Sequence, residues 1–303
     1  MKKILLLLFV LASTYSIAQD SRIPLDTTIV TTNTVTIKGK EVPYTATTGM
    51  QPVYDDNGKT VASLYYTYYK RSDVKENSKR PLIMSFNGGP GSASVWMHIA
   101  YTGPQILKID AEGNPTQPYG IKDNPYSVLD VADIVFINPV NTGYSRPVLA
   151  KGEKVDKKYF FGVNADAKYL AGWLTTFMTR NNRWLSPKYI IGESYGGTRV
   201  MQLANELQSN QWMYLNGVIM VSPADYKIIR SGASEDLAMN LPYFTATAWY
   251  HKMLPADLQE KDLEEILPAA ELFSYNELLP AISKGGNISD TERNDVAEKM
   301  ARF

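Results

Sequence analysis

Two hydrophobic periods divide the chain. Residues 31–37 alternate threonine with apolar side chains, as a strand with one buried face does. Strand-like runs continue over 42–70, turned at Asp55-Asp56-Asn57-Gly58, and Val61 to Tyr69 is rich in tyrosine, which suits a β surface. Sheet packing is the expected use of these tyrosines, with a binding surface as the alternative. Residues 71–80 are polar and predict a loop. From 81 to 222 strand and helix patterns alternate. Pro81 to Phe86 predicts a strand, Ser92 to Tyr101 a helix, and Ile134 to Ile137 a buried strand stopped by Pro139 and Gly143. Asn164 is the expected cap of the next helix, with Asp166 in its first turn. Leu170, Trp173, Leu174, Phe177 and Met178 share one face of it. A strand ends at Ile191, and a helix then turns Val200, Leu203, Ala204 and Leu207 inward. Val218 to Val221 reads as one more core strand. Such alternation predicts an α/β fold whose sheet is mostly parallel and covered on both faces.

After Ser231 the strand signals stop. Pro255, Pro268, Pro280 and Gly285-Gly286 break the helical pieces, so 231–303 is expected to be a helical cap inserted over the catalytic edge of the sheet. Ser289-x-x-Glu292 is a capping box opening a last helix through Val296 and Met300 to Phe303. The chain stops inside that periodic segment, which reads as a truncation. The organisation expected is therefore 1–18 leader, 19–80 N-terminal β segment, 81–230 α/β core and 231–303 helical cap, with the C-terminal part of the catalytic domain missing.

The leader is read from Lys2-Lys3, the apolar stretch Ile4 to Ala12 and the small-residue site Ser16-Ile17-Ala18. Its apolar part is too short to span a bilayer. The expectation is an exported protein, periplasmic or extracellular, beginning near Gln19 and without a stable membrane anchor. Lys plus Arg and Asp plus Glu number 31 each, so no basic excess points to nucleic acid. The sequence has no cysteine, which excludes disulfides and thiolate metal sites.

The chemistry is concentrated at Tyr189-Ile190-Ile191-Gly192-Glu193-Ser194-Tyr195-Gly196-Gly197. An apolar strand runs into Gly-x-Ser-x-Gly and then directly into a helix, the context of a nucleophile elbow. Glycine is needed at 192 and 196 where the chain doubles back. Ser194 is the expected nucleophile. Two donors must meet the developing oxyanion: the Tyr195 amide, and one from the loop Asn87-Gly88-Gly89-Pro90-Gly91 after the earlier strand. A serine hydroxyl also needs a base. Only His98 and His251 are available. His98 precedes Ser194 and is expected to pack. His251 sits in the proline-broken region, and Asp225 and Asp236 look no different from surface charges. Two members of a triad are thus not found, and no cofactor or metal is called for.

These segments resemble the serine carboxypeptidase family. Asn87-Gly88-Gly89-Pro90-Gly91, Asn124-Pro125-Tyr126-Ser127, Pro139-Val140-Asn141-Thr142-Gly143-Tyr144-Ser145 and Gly192 to Gly197 match its motifs in its order, across roughly residues 80–225. The resemblance implies an α/β-hydrolase with a helical cap that releases C-terminal amino acids from peptides. It implies Ser194 as nucleophile, Gly89 and Tyr195 as oxyanion hole, and Asn87 and Glu193 as the binders of the substrate's free carboxylate. Two ionised carboxylates at hydrogen-bond distance repel, so Glu193 would need a proton in that complex, which predicts an acid optimum. The family's Asp and His would lie beyond Phe303, and the chain alone is expected to be inactive. Ser85 and Tyr101 replace a tryptophan and a glutamate of the carboxylate site, Asn138 and Asn141 replace a commoner acidic residue and a glycine, and Ser92 replaces a disulfide cysteine. The competing readings are an esterase or acyltransferase on the same elbow, and a binding protein whose triad has decayed.

Overall fold

The threonine-rich stretch near the start of the chain forms β1 (Thr27–Ile37), which pairs antiparallel with β2 (Lys40–Tyr54), itself antiparallel to β3 (Thr60–Arg71). The β2–β3 turn is fixed by Asp55, whose carboxylate accepts the Asn57 and Lys59 amides at 2.9 and 2.8 Å, and by Gly58 at φ +78°. The computed structural model describes residues 23–150, 152–224 and 235–303. The expected leader, 1–18, and Asp225 lie outside them. The chain divides into two compact units between Ala224 and Asp225.

In the first unit follow β4 (Leu82–Phe86), the hairpin pair β5 (Gln105–Leu107) and β6 (Ile121–Asp123), β7 (Asp133–Ile137), the short β8 (Arg146–Pro147), helices α1 (Lys157–Phe160) and α2 (Val163–Arg180), β9 (Lys188–Ser194), α3 (Tyr195–Asn210) and β10 (Gly217–Pro223). Among the described residues, eight strands make one sheet in the order β1-β2-β3-β7-β4-β9-β10, with β8 against β3. The four strands β7, β4, β9 and β10 are parallel to their neighbours in that set, and the N-terminal strands are antiparallel. Every residue of β4 and β7 is buried, as expected where parallel strands are covered on both faces.

One face packs on α2 and α3. Trp173 stacks on Phe177 at 5.4 Å, and Tyr66 meets both rings edge-on. Each such fully buried apolar side chain contributes about 1.5–3 kcal/mol. The tyrosines at 44, 66 and 68 are thus packing residues, each no more than 5% exposed. At the base of the sheet the wholly buried Asp133 accepts Arg80 Nε at 2.7 Å, Arg183 Nη1 at 2.5 Å and the Arg71 amide at 3.0 Å. Tyr68 gives its oxygen to the same Arg183 at 2.6 Å.

Four sequence expectations need correction. The helix after the glycine loop does not start at Ser92 but is a π-helical turn over Met97–Thr102. The residues before it hold the loop instead: the Ser94 amide donates to Asn138 Oδ1 at 2.9 Å and its hydroxyl to the Ile137 carbonyl at 2.5 Å. Asn164 does not cap α2, whose N-cap is Gly162 at φ 118°, a backbone state that favours glycine. Val218 to Val221 is not a core strand. Among the described residues β10 is the sheet edge, and Val218, Ile219 and Met220 are 41%, 40% and 45% exposed, while Val221 is partly buried against the core. A short apolar run reads alike in a buried and an edge strand.

The second unit carries α4 (Glu235–Tyr250), α5 (Ala256–Gln259), α6 (Leu263–Phe273), α7 (Leu279–Ser283) and α8 (Asp290–Met300). Its core gathers Ala238, Leu241, Phe273, Leu278, Ala281 and Val296. The capping box is half realised, with Ser289 Oγ accepting the Glu292 amide at 3.2 Å. The fourth correction is that α8 ends at Met300; Phe303 folds back to stack on Phe273 at 5.6 Å. Among the described residues no helix is long and apolar enough to cross a membrane.

Candidate active site

β9 delivers Ser194 to its end, where φ is 57° and ψ −124°. A β-carbon is strained in that conformation, so the elbow is held by its surroundings. The glycines explain how. A Cβ on Gly192 would lie 2.0 Å from the Gly196 carbonyl oxygen, and one on Gly197 would lie 2.6 Å from Pro223 Cβ. The chain crosses itself there with no room for a methyl group.

The loop after β4 lies against this turn. A Cβ on Gly88 would be 2.6 Å from the Tyr195 amide nitrogen, 2.7 Å from the Glu193 carbonyl oxygen and 2.9 Å from Ser194 Cβ. Gly89 has φ 105°, open to glycine alone at no cost. β4 and β9 are adjacent and parallel, with Phe86 in register with Gly192, which brings both loops to the same end of the sheet. Asn87 Nδ2 donates to Glu193 Oε2 at 3.0 Å, and Asn87 Oδ1 accepts the Met97 amide at 3.0 Å. Asn87, Gly89, Glu193, Ser194 and Tyr195 therefore come together as two touching segments. Such a site offers a hydroxyl, backbone donors beside it and an amide–carboxylate pair one residue away. Among the described residues Ser194 Oγ has no hydrogen-bond partner.

His98 is elsewhere in function. Its ring stacks on Phe136 at 4.5 Å and its Nε2 lies 2.6 Å from the Tyr69 hydroxyl. Burial pushes its pKa down to about 4, so it stays neutral near pH 7. His251 follows α4 in the second unit, edge-on to Tyr250 at 5.0 Å. Asp236 lies in the first turn of α4.

The other motifs are braces. Asn124 Nδ2 donates to the carbonyls of Tyr101 and Gly103 at 2.9 and 2.8 Å, and Ser127 Oγ to that of Thr102 at 3.2 Å, closing the end of the π-helical turn. Ser145 Oγ donates to the Asn138 carbonyl at 2.6 Å and accepts the Tyr65 amide at 2.8 Å. Of the departures, Ser85 is wholly buried with a hydroxyl that has no partner among the described residues, and Tyr101 is 55% exposed.

Sequence reasoning missed two residues here, Arg199 and Asp166. Arg199, in the first turns of α3, is 2% exposed and donates from Nε to Asp166 Oδ2 at 2.6 Å. Its Nη1 donates to the Asn87 carbonyl at 2.6 Å and its Nη2 to that of Pro90 at 3.4 Å. Burial pushes the Tyr169 hydroxyl well up, so it keeps its proton, donates to Asp166 Oδ1 at 3.0 Å and accepts the Val140 amide at 3.1 Å. A signal was present: Arg199 falls in the inward stripe with Gly196, Val200 and Leu203, and a charge in such a slot requires a partner.

A family model described as serine carboxypeptidase matches residues 40–277. Serine carboxypeptidase-like 36 of Arabidopsis thaliana is 31% identical over 173 residues, which is 54% of this chain and 32% of that protein. Carboxypeptidase Y homolog A of Blastomyces gilchristii is 27% identical over 165 residues, 54% of this chain and 27% of the relative. The matches thus span about a quarter to a third of the length of these curated relatives. Among solved structures, the prohormone-processing carboxypeptidase Kex1 from Saccharomyces cerevisiae aligns over 84% of this chain and 52% of its own, with 18% identity and a TM-score of 0.52. That likeness speaks for the fold, an α/β-hydrolase.

Proposed function

The chain belongs to the serine carboxypeptidase family, and from that membership we propose that it acts as an exported serine carboxypeptidase, releasing C-terminal amino acids from peptides. The observation that carries the reading is the Asn87–Glu193 hydrogen bond of 3.0 Å immediately before Ser194 in the chain. In this reading that amide donor and carboxyl group, beside Ser194, receive the carboxylate of a peptide ending just past the scissile bond. Ser194 Oγ attacks the scissile carbonyl and loses its proton to a base. The amides of Gly89 and Tyr195 take the oxyanion. The C–N bond breaks as the amine is protonated, the amino acid leaves, and water releases the acyl group from Ser194. Asn87 and Glu193 hold the incoming carboxylate in this reading, with Asn87 Nδ2 as an amide donor.

The test is hydrolysis of a blocked dipeptide against its C-terminal amide. A strong preference for the free acid, lost in Glu193→Ala, supports the reading. Equal rates for acid and amide, or a preference for simple esters, would replace it with an esterase or acyltransferase.

A further inference from the structure

We infer that Arg199 is the positioning residue of this site: its guanidinium fastens the Asn87–Pro90 loop to the elbow helix and so holds the backbone donors beside Ser194. The inference rests on the proposed role of that loop as an oxyanion hole. The loop's other ties sit at its two ends, at Asn87, which bonds Glu193, Met97 and Ser94, and at Ser94, which bonds Asn138 and Ile137. Inside it, the Ser92 amide reaches the Gly88 carbonyl only at 3.3 Å, and glycines at 88, 89 and 91 supply no side chain to anchor it. Glycine backbone is the least restrained of any residue, and an oxyanion hole works only if its donors are fixed before charge develops. Arg199 supplies that restraint from outside. It takes the carbonyl of Asn87 at 2.6 Å and that of Pro90 at 3.4 Å, bracketing Gly88 and Gly89.

The guanidinium is itself locked. Asp166 from α2 accepts its Nε at 2.6 Å, with the two side chains 1% and 8% exposed. Tyr169 fixes the other carboxylate oxygen at 3.0 Å. The guanidinium Cζ lies 5.2 Å from the centroid of the Tyr195 ring and 5.9 Å from that of Phe86, the residues flanking the two touching loops. Arginine suits this because its rigid fork can serve a carboxylate and two carbonyls at once, which a lysine ammonium on a flexible stem cannot. Asp166 thus acts through Arg199, and Arg199 acts through the loop.

Arg199→Met alone would strand the buried Asp166 carboxylate and report mainly on folding. The informative variants of the 303-residue chain are Arg199→Met/Asp166→Leu, which removes both charges, and Arg199→Lys, which keeps the charge facing Asp166. Replacing both members of a buried pair by apolar groups is commonly neutral for stability. Three readouts are needed: the thermal midpoint, hydrogen exchange at the Ser92 and Ser94 amides, and the rate at which a fluorophosphonate labels Ser194. The expected result for either variant is a nearly unchanged midpoint with Ser92 exchange about tenfold faster and labelling at least about tenfold slower. If the double variant fails to fold, the lysine variant decides. Wild-type exchange at Ser92 in a folded variant, or wild-type labelling, overturns the inference. Should the wild-type chain itself resist labelling, the exchange data alone decide the role of Arg199.

Discussion

Replacing Ser194 by glycine should make the protein more stable while abolishing its chemistry. Ser194 sits at φ 57° and ψ −124°, a region where a Cβ costs about 1–3 kcal/mol. Glycine removes that cost but adds backbone freedom to the unfolded chain, worth about 0.5–1 kcal/mol. The comparison that isolates strain is therefore Ser194→Gly against Ser194→Ala, since both lack the hydroxyl and only alanine keeps the Cβ. The difference expected is about 0.5–2 kcal/mol in favour of glycine. For a chain of this size that is a rise of about 1–8 °C in melting midpoint. Thermal unfolding followed by circular dichroism reads it directly, with denaturant midpoints as a check. The outcome that refutes the reasoning is an alanine variant as stable as the glycine variant or more so, for then the elbow stores no strain in its backbone. Strain of this kind is expected where the surrounding fold over-determines a position. Here that fold is the glycine crossing at 192 and 196 and the loop packed at Gly88.

Other consequences follow from the same packing. Gly192→Ala places a methyl group 2.0 Å from a backbone oxygen; loss of Ser194 labelling together with a melting midpoint lowered by several degrees is expected, and an unaltered variant would mean that the elbow is looser than described. Asp133→Ala leaves the buried guanidinium groups of Arg80 and Arg183 without their carboxylate, at a cost of about 3–5 kcal/mol, measurable by urea unfolding. His98 has its pKa lowered to about 4 by burial, against about 6.5 when unfolded. The unfolded chain thus binds the extra proton first, so this contribution is complete above pH 6.5 and is lost as pH falls towards 4. It amounts to up to about 3 kcal/mol, and a His98→Asn variant should lose less stability between pH 7 and pH 4.5 than the wild type.

Much of this architecture could be read from the sequence because it rests on local rules. Period-two alternation, apolar runs and a Gly-x-Ser-x-Gly turn between strand and helix are short-range patterns, and β1 to β4, β9 and α3 follow them. The adjacency of the glycine loop and the elbow follows from the parallel pairing of β4 and β9. What stayed hidden depends on distant partners. Asp166 and Arg199 are 33 residues apart, and a lone acid in a helix's first turn looks like a response to the helix dipole until its partner is known. Ser94, inside the stretch expected to be helical, gives its amide to Asn138, 44 residues further along the chain. The exposure of β10 depends on which strand lies beside it, which an apolar tetrapeptide does not encode. Gly162 takes the cap from Asn164 through a backbone conformation that side-chain preference does not report.

The central claim is that Ser194 reacts with groups brought to it by recognition of a free C-terminal carboxylate at Asn87 and Glu193. A peptidyl phosphonate ending in a free carboxylate, compared with its C-terminal amide, tests this even when turnover is slow, with the adduct located by mass spectrometry. The account predicts a single adduct on Ser194, faster with the acid than with the amide, that advantage erased in Glu193→Ala and all labelling absent in Ser194→Ala. An adduct on another residue, or equal labelling by acid and amide, would contradict it.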